Sequence, residues 1–289
     1  MKILTEAQRS SYLDRGYCAG HDWISGEWLD RLNQVTNAFV EESREVERSG
    51  AKFDLEPGHT RANPRLRRLN SPIDFHETYW EFASSGPFVD IAEDLLGANV
   101  KFHHSKLNFK WSGGGEAVKW HQDIQFWPHT NYDVLTIGVY LSDVTEDMAP
   151  MGIIPKSHAQ DLFDLYDHDG QWTGHIKDED LRRLDIDSAE YLSGPAGTVT
   201  VHNCRAVHGS PPNQSAAPRP LLLCAYSAAD AIPITNLTAG GKHAETIVRG
   251  EKTKWARFDP RPVPMPPDWS KQGYKSIFQH QQGENLDEA

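Results

Sequence analysis

Cysteine is scarce. Cys18, Cys204 and Cys224 are the three thiols in 289 residues, odd in number, widely spaced and without a CxxC pattern. That excludes a disulfide scaffold and a thiolate zinc site, and it fits a reduced, cytoplasmic protein in which the sequons Asn213–Ser215 and Asn236–Thr238 are chance. Positive charge is also short: 29 Lys and Arg against 41 Asp and Glu give a net charge of −12. No broad basic surface is left to neutralise phosphates, so a nucleic-acid partner is excluded, though a local basic pocket is not. Long apolar runs are missing too. None approaches the roughly 20 residues that cross a bilayer, which excludes a membrane partner. The opening MKILTEAQRSSYLDRG carries too short an apolar stretch for a signal peptide. A calcium loop at Asp167–Gly170 fails as well: with Gly170 at the invariant glycine, the first ligand falls on Leu165, which has no oxygen to give.

What is present is ordinarily globular, with 38% hydrophobic and 24% charged residues. The length supports one large domain spanning 1–289. The first part, about 1–98, reads helical. Trp28, Leu29, Leu32, Val35 and Phe39 fall at helical spacing, with a serine to start the helix and Gly50 to stop it. Phe88, Ile91, Leu95 and Leu96 repeat the plan, with Gly97 as a C-terminal cap. Between these helices, HTRANPRLRRLNSP reads as a solvated basic connector, with a substrate-facing, anion-attracting loop as the alternative.

From residue 99 the period changes to two. In VKFHHSKLNFKW, His104, Lys106 and Asn108 share one face; Leu107, Phe109 and Trp111 share the other, and parity turns His103 away. More strands follow to about 230, interrupted by an acidic, partly helical insertion at about 159–195 near one barrel mouth. An extended arm, about 231–289, wraps the domain. Helices followed by strands indicate an α+β class, with helices packed on a sandwich or small barrel.

The chemistry lies in the strand region. In WHQDIQFW, His121 and Asp123 sit two apart, so that a strand would aim both at one point. His208 ends a later strand-like run, Ser210 lies two further on, and Arg219 stands eleven residues past His208. Two histidines and a carboxylate that leave open positions suit non-haem Fe(II) oxygen chemistry. A keto acid chelating that iron needs a bidentate cation for its far carboxylate, and the arginine fork matches it better than lysine.

The HQD, the later HGS, the arginine eleven residues on, the helix ending DLLG and the strand end GIIPKSH resemble the phytanoyl-CoA dioxygenase family, which includes ectoine hydroxylases. The resemblance spans roughly residues 5–230. It implies a double-stranded β-helix (a jelly-roll, cupin-like core) and the use of Fe(II), 2-oxoglutarate and O2. Residue by residue it implies His121, Asp123 and His208 as iron ligands and Arg219 and Ser210 on the oxoglutarate C5 carboxylate. Asn108 is implied as a further oxoglutarate contact, and Lys106 and His104, on the same strand face, are expected to join it. Trp127 matches an aromatic residue lining the substrate pocket, and Gln125 and Leu223 join it as expected substrate contacts.

The implied reaction is hydroxylation of an unactivated C–H of a small molecule, with release of succinate and CO2. Asp123 favours hydroxylation over halogenation, which replaces that carboxylate with a small residue. Desaturation, cyclisation and epoxidation use the same ligands. A non-redox, cupin-like binder would need the triad but make no demand on Arg219 or Ser210. Lys156 and Met151 depart from the family's usual glycine and asparagine. An acyl-CoA substrate would need phosphate-binding cations, for which Arg61, Arg65, Arg67 and Arg68 are candidates; a small amine, amino-acid derivative or terpenoid suits an aromatic pocket equally. Isolated histidines (His129, His158, His168, His175) read as satisfied core residues. His243 with Glu245 reads as a chance imitation of the metal pair, and Cys204 as a small buried hydrophobe. Trp111, Trp120 and Phe126 read as packing.

Overall fold

Two strands are too apolar to stand at an edge. Val134–Tyr140 and Leu221–Ala228 are buried at every position. In a computed structural model describing residues 1–111, 116–235, 241–268 and 277–282, these two strands (β6 and β11) pair antiparallel at the centre of an eight-stranded sheet. The other members are β1 (Tyr17–Gly20), β2 (Phe53–Leu55), β3 (Leu66–Asn70), β4 (Val100–Asn108), β9 (Val199–Asn203) and β12 (Ile247–Arg249). The order is β1-β9-β6-β11-β4-β3-β2, with β12 added against β4. A second sheet runs β5-β10-β7-β8, built from β5 (Val118–His121), β7 (Met151–Ile153), β8 (Glu190–Leu192) and β10 (His208–Ser210). This is a double-stranded β-helix.

Four helices precede or interrupt the first strands: α1 (Glu6–Arg15), α2 (Gly26–Ser43), α3 (Glu77–Ser85) and α4 (Pro87–Leu96). Helix α2 starts where the sequence predicts, with the Ser25 side chain accepting from the Trp28 amide, but it ends at Ser43, seven residues before Gly50. Gly97 caps α4 at φ 93°, a backbone region that favours glycine. Leu32, Phe39, Tyr79, Phe82 and Phe88 pack with Val100, Phe102, Leu107, Val201 and Leu222, so the helices cover the outer face of the large sheet. Burial of each such side chain contributes about 1.5–3 kcal/mol.

Two expectations need correction. The first 98 residues supply three strands of the large sheet as well as helices. The basic connector is not solvated: Leu66–Asn70 is a strand, and Arg67 and Arg68 within it are buried. The insertion holds one short helix, α5 (Asp178–Leu181), and short turns. The C-terminal segment adds β12 and a helix at Ile277–Gln282. Cys18, Cys204 and Cys224 are free and buried. Among the described residues no helix is long and apolar enough to cross a membrane. The sequon at Asn236–Thr238 lies outside the described residues.

Candidate active site

Strands β5 and β10 pair with His121 directly opposite His208, which brings the two imidazoles to ring centroids 4.1 Å apart. Strand β5 ends at His121, so Asp123 is not on it. Asp123 instead opens a 3-10 turn, Asp123–Gln125, and its carboxylate swings back beside the histidines. Its Oδ1 lies 3.6 Å from His121 Nε2 and 3.7 Å from His208 Nε2. One ligand atom from each residue falls within 4.8 Å of the others, and all three residues are buried.

The surroundings orient this triad. His121 Nδ1 donates to the Lys119 carbonyl at 2.8 Å and His208 Nδ1 to the Ala206 carbonyl at 3.0 Å, which turns both Nε2 lone pairs to the common point. Asp123 Oδ2 accepts from Thr136 Oγ1 at 2.9 Å and His202 Nε2 at 3.2 Å, which leaves Oδ1 for a metal. Burial raises the Asp123 pKa, but the charge of Lys106, the neighbouring His208 and the hydrogen bond from His202 outweigh it and hold the carboxyl well below its usual range. Burial, followed by the neighbouring His121 and His202, keeps His208 neutral. Two imidazoles and one carboxylate are the donor set that fits Fe(II).

Arg219 lies two residues before β11, with its amide bonded to the Lys110 carbonyl at 2.9 Å. The guanidinium is 3% exposed and sits over the Tyr140 ring at 5.7 Å. Its Nε and Nη1 have no hydrogen-bond partner. Ser210 Oγ donates to the Ala149 carbonyl at 2.8 Å, which leaves its lone pairs open. Lys110 holds the same turn, donating to the Ser210 and Pro211 carbonyls at 3.1 and 2.6 Å. Asn108 Oδ1 accepts from Arg68 Nε at 2.8 Å.

On β4 one expectation is overturned. Ala225 of β11 pairs with His104 while Tyr226 pairs with Phe102, so His103 is the extra residue of a β-bulge. His103 therefore turns inward beside His104: its ring lies 5.0 Å from both Trp127 and His129, and His104 lies 5.6 Å from Trp127. His129, read from sequence as a satisfied core residue, belongs to this cluster too. His103 and His129 each leave a buried Nε2 without a partner. Gln125 is fully buried, its amide nitrogen on Gln122 at 3.0 Å and its Oε1 unpartnered. Leu223 packs with Tyr140, Met148 and Leu221, which places it with Arg219 and not with Trp127.

The lesser readings separate cleanly. His243 stacks on Trp80 at 3.8 Å and Glu245 pairs with Lys101, so that pair is structural. Trp120 lies on the outer face of the second sheet, where a Cβ on Gly152 or Gly209 would meet it at 3.2–3.3 Å. Sequence reading missed Thr136, His202, Tyr140, Lys110 and the inward turn of His103. His202 had a period-two mark, since Thr198, Thr200 and His202 alternate along one face.

With this geometry in hand, comparison places the chain among known proteins. The family model for phytanoyl-CoA dioxygenase (PhyH) matches residues 12–221. A probable alpha-ketoglutarate-dependent hypophosphite dioxygenase of Stutzerimonas stutzeri is 33% identical over 279 residues, covering 95% of this chain and 96% of the relative. The L-proline trans-4-hydroxylase of Streptomyces griseoviridis is 31% identical over 180 residues, covering 56% of this chain and 67% of that one. In fold, iron-bound EctD from S. alaskensis superposes with a TM-score of 0.71 at 21% identity, covering 87% of this chain and 88% of that one. A triad with two oriented histidines, a buried arginine with two unpartnered nitrogens and a family match over most of the chain lead to one conclusion: the chain belongs to the phytanoyl-CoA dioxygenase family of Fe(II)- and 2-oxoglutarate-dependent oxygenases.

Proposed function

We propose that His121, Asp123 and His208 hold Fe(II) and that Arg219, with Ser210 and Asn108, holds the C5 carboxylate of 2-oxoglutarate, in a single-domain hydroxylase of a small molecule. The observation that carries this is the Arg219 guanidinium, buried with two nitrogens unpartnered. A buried cation without a counter-ion costs several kcal/mol, and a dicarboxylate seated against it offsets that cost. The non-redox binder gives no reason for such an arginine. Iron with 2-oxoglutarate and O2 supplies an oxidant for an unactivated bond, with release of succinate and CO2.

The chain's own part is positioning. Carbonyls of Lys119 and Ala206 fix the two imidazoles, and Thr136 and His202 fix the carboxylate rotamer. Buried Ile124, Phe126 and Trp127 keep bulk water from the centre. Three free thiols support a reducing, cytoplasmic setting. The named relatives act on hypophosphite and L-proline, small molecules both, and this supports a compact substrate over an acyl-CoA.

Anaerobic addition of Fe(II) and 2-oxoglutarate together should give a weak visible charge-transfer band. With O2, oxoglutarate should then be converted to succinate, and Asp123→Ala and Arg219→Ala should both lose this activity. Absence of the band in the wild type would favour the binder.

A further inference from the structure

Resting on that reading of the metal and oxoglutarate sites, one group is left without work. Lys106 shares the inward face of β4 with Asn108 and His104, and pairs in register with Leu223. Among the described residues its ammonium has no hydrogen-bond or ion-pair partner. Its register beside Asn108 and His104 puts it on the face of β4 that looks into the barrel, where its charge and that of Asp123 favour one another. Arg68, buried, spends its Nε on Asn108 and leaves Nη2 without a partner. Neighbouring cations differ: Arg67 pairs with Asp54 and Glu116, Arg65 with Glu56, and Lys101 with Glu245.

Formal charge sharpens the point. Fe(II) beside Asp123 leaves one net positive charge, and dianionic oxoglutarate against Arg219 leaves one net negative charge. These cancel, and Lys106 and Arg68 remain as uncompensated cations in a buried region, which is costly unless an anion joins them. The adjoining wall is polar, and burial holds His103, His104 and His129 neutral. His103 and His104 share a hydrogen bond between their Nδ1 atoms, so the accepting ring of the two carries its N–H on Nε2 and offers it to the cavity, while His129 donates its N–H to the Trp127 carbonyl at 2.7 Å. Trp127 lies against all three rings. Phe278 of the final helix stands 5.5 Å from the Arg68 guanidinium and closes that side.

We propose that Lys106, Arg68, His103, His104, His129 and Trp127 form the substrate subsite, and that it selects a compact oxyanion. A phosphorus oxyanion and a carboxylate share this chemistry. Lys106 and His104, expected from sequence to contact oxoglutarate, act in this arrangement on the substrate.

The test uses full-length protein loaded anaerobically with Fe(II) and 2-oxoglutarate, with the shift of the charge-transfer band as readout. Sodium hypophosphite, methylphosphonate and acetate are titrated as anions, with acetamide and choline as uncharged and cationic controls. Saturable shifts with anions and none with the controls are expected, and the tighter class identifies the oxyanion. Lys106→Met should raise the anion Kd at least tenfold and leave 2-oxoglutarate affinity within twofold; Lys106→Arg should recover most of the loss. A wild-type band that no anion perturbs overturns the subsite, as does a Lys106→Met protein that binds anions normally but 2-oxoglutarate poorly. Failure to form the band at all strikes the metal and oxoglutarate reading instead, so the two failures are distinct.

Discussion

Replacing Arg219 by methionine should weaken oxoglutarate binding without weakening the fold, a combination that few buried arginines would show. Its guanidinium is 3% exposed and two of its nitrogens lack partners, so in the free protein it is a cost. Substituting an apolar side chain of similar length for a buried charge is commonly neutral or stabilising, whereas removing one partner of a buried pair costs about 3–5 kcal/mol. At about 3 kcal/mol the 2-oxoglutarate Kd rises roughly 150-fold. A ligand at 100 times its Kd stabilises by about 2.7 kcal/mol; after a 150-fold loss the same concentration gives about 0.3 kcal/mol. At about 2 °C per kcal/mol for a chain of this size, the oxoglutarate-induced rise in Tm falls from about 5 °C to below 1 °C. Thermal melts of iron-loaded protein under nitrogen, with and without 2-oxoglutarate, measure both quantities. An Arg219→Met protein that keeps the 5 °C shift refutes the anchoring role. One that melts far below the wild type without ligand shows that Arg219 is structural.

Three further outcomes follow from neighbouring contacts. Thr136→Val removes the hydroxyl that holds Asp123 Oδ2 and should lower Fe(II) affinity about 10–100-fold, as read by competition with a chelator; an unchanged affinity would leave His202 as the sufficient support. Metal-free protein should lose stability as pH falls from 7.5 to 5.5. Burial holds His104 at about 3 and His129 at about 4, against about 6.5 in the unfolded chain, so the unfolded state binds more protons between these limits. Stability is thus full above about pH 6.5 and lost below it, by up to about 1.4 kcal/mol per pH unit for each histidine; equal urea midpoints at pH 7.5 and 5.5 would contradict this. Gly209→Ala sets a Cβ 2.8 Å from the Val118 carbonyl and 3.3 Å from Trp120, one residue from His208. It should cost about 1–3 kcal/mol in a denaturant melt and loosen iron binding.

The residues proposed for the metal and for the oxoglutarate carboxylate stood out as candidates in the sequence because each depends on a residue type that few structural roles tolerate, held at a fixed spacing. The surrounding shell was harder to read, for two physical reasons. Arg67 and Arg68 sit in a run of four arginines, where solvation is the cheaper assumption; their burial becomes affordable only through Asp54, Glu116 and Asn108, contributed by distant segments. Thr136 and His202 support Asp123 from two strands of the opposite sheet, and no local spacing joins them to it.

His103 is a different case, because its inward turn was written in the sequence. Strict alternation along β4 assigns Phe102 and Leu107, five positions apart, to opposite faces, yet both are large apolar residues and both lie in the core under the helices. Val100 and Phe102 set the apolar face at even numbers, Leu107 and Phe109 at odd ones. The phase of the pattern slips by one residue between them, and a slip inside a continuous strand requires a bulge. Only His103, His104 and Ser105, with the inward Lys106, lie in the interval. The bulge therefore falls on one of the histidines or next to it and adds one inward side chain beside the metal centre. Read this way, the apolar phase shift predicts the extra histidine of the oxyanion wall before any coordinate is known. A deletion of His103 should restore the parity of β4 and preserve the fold, and anion binding measured by the band shift should fall.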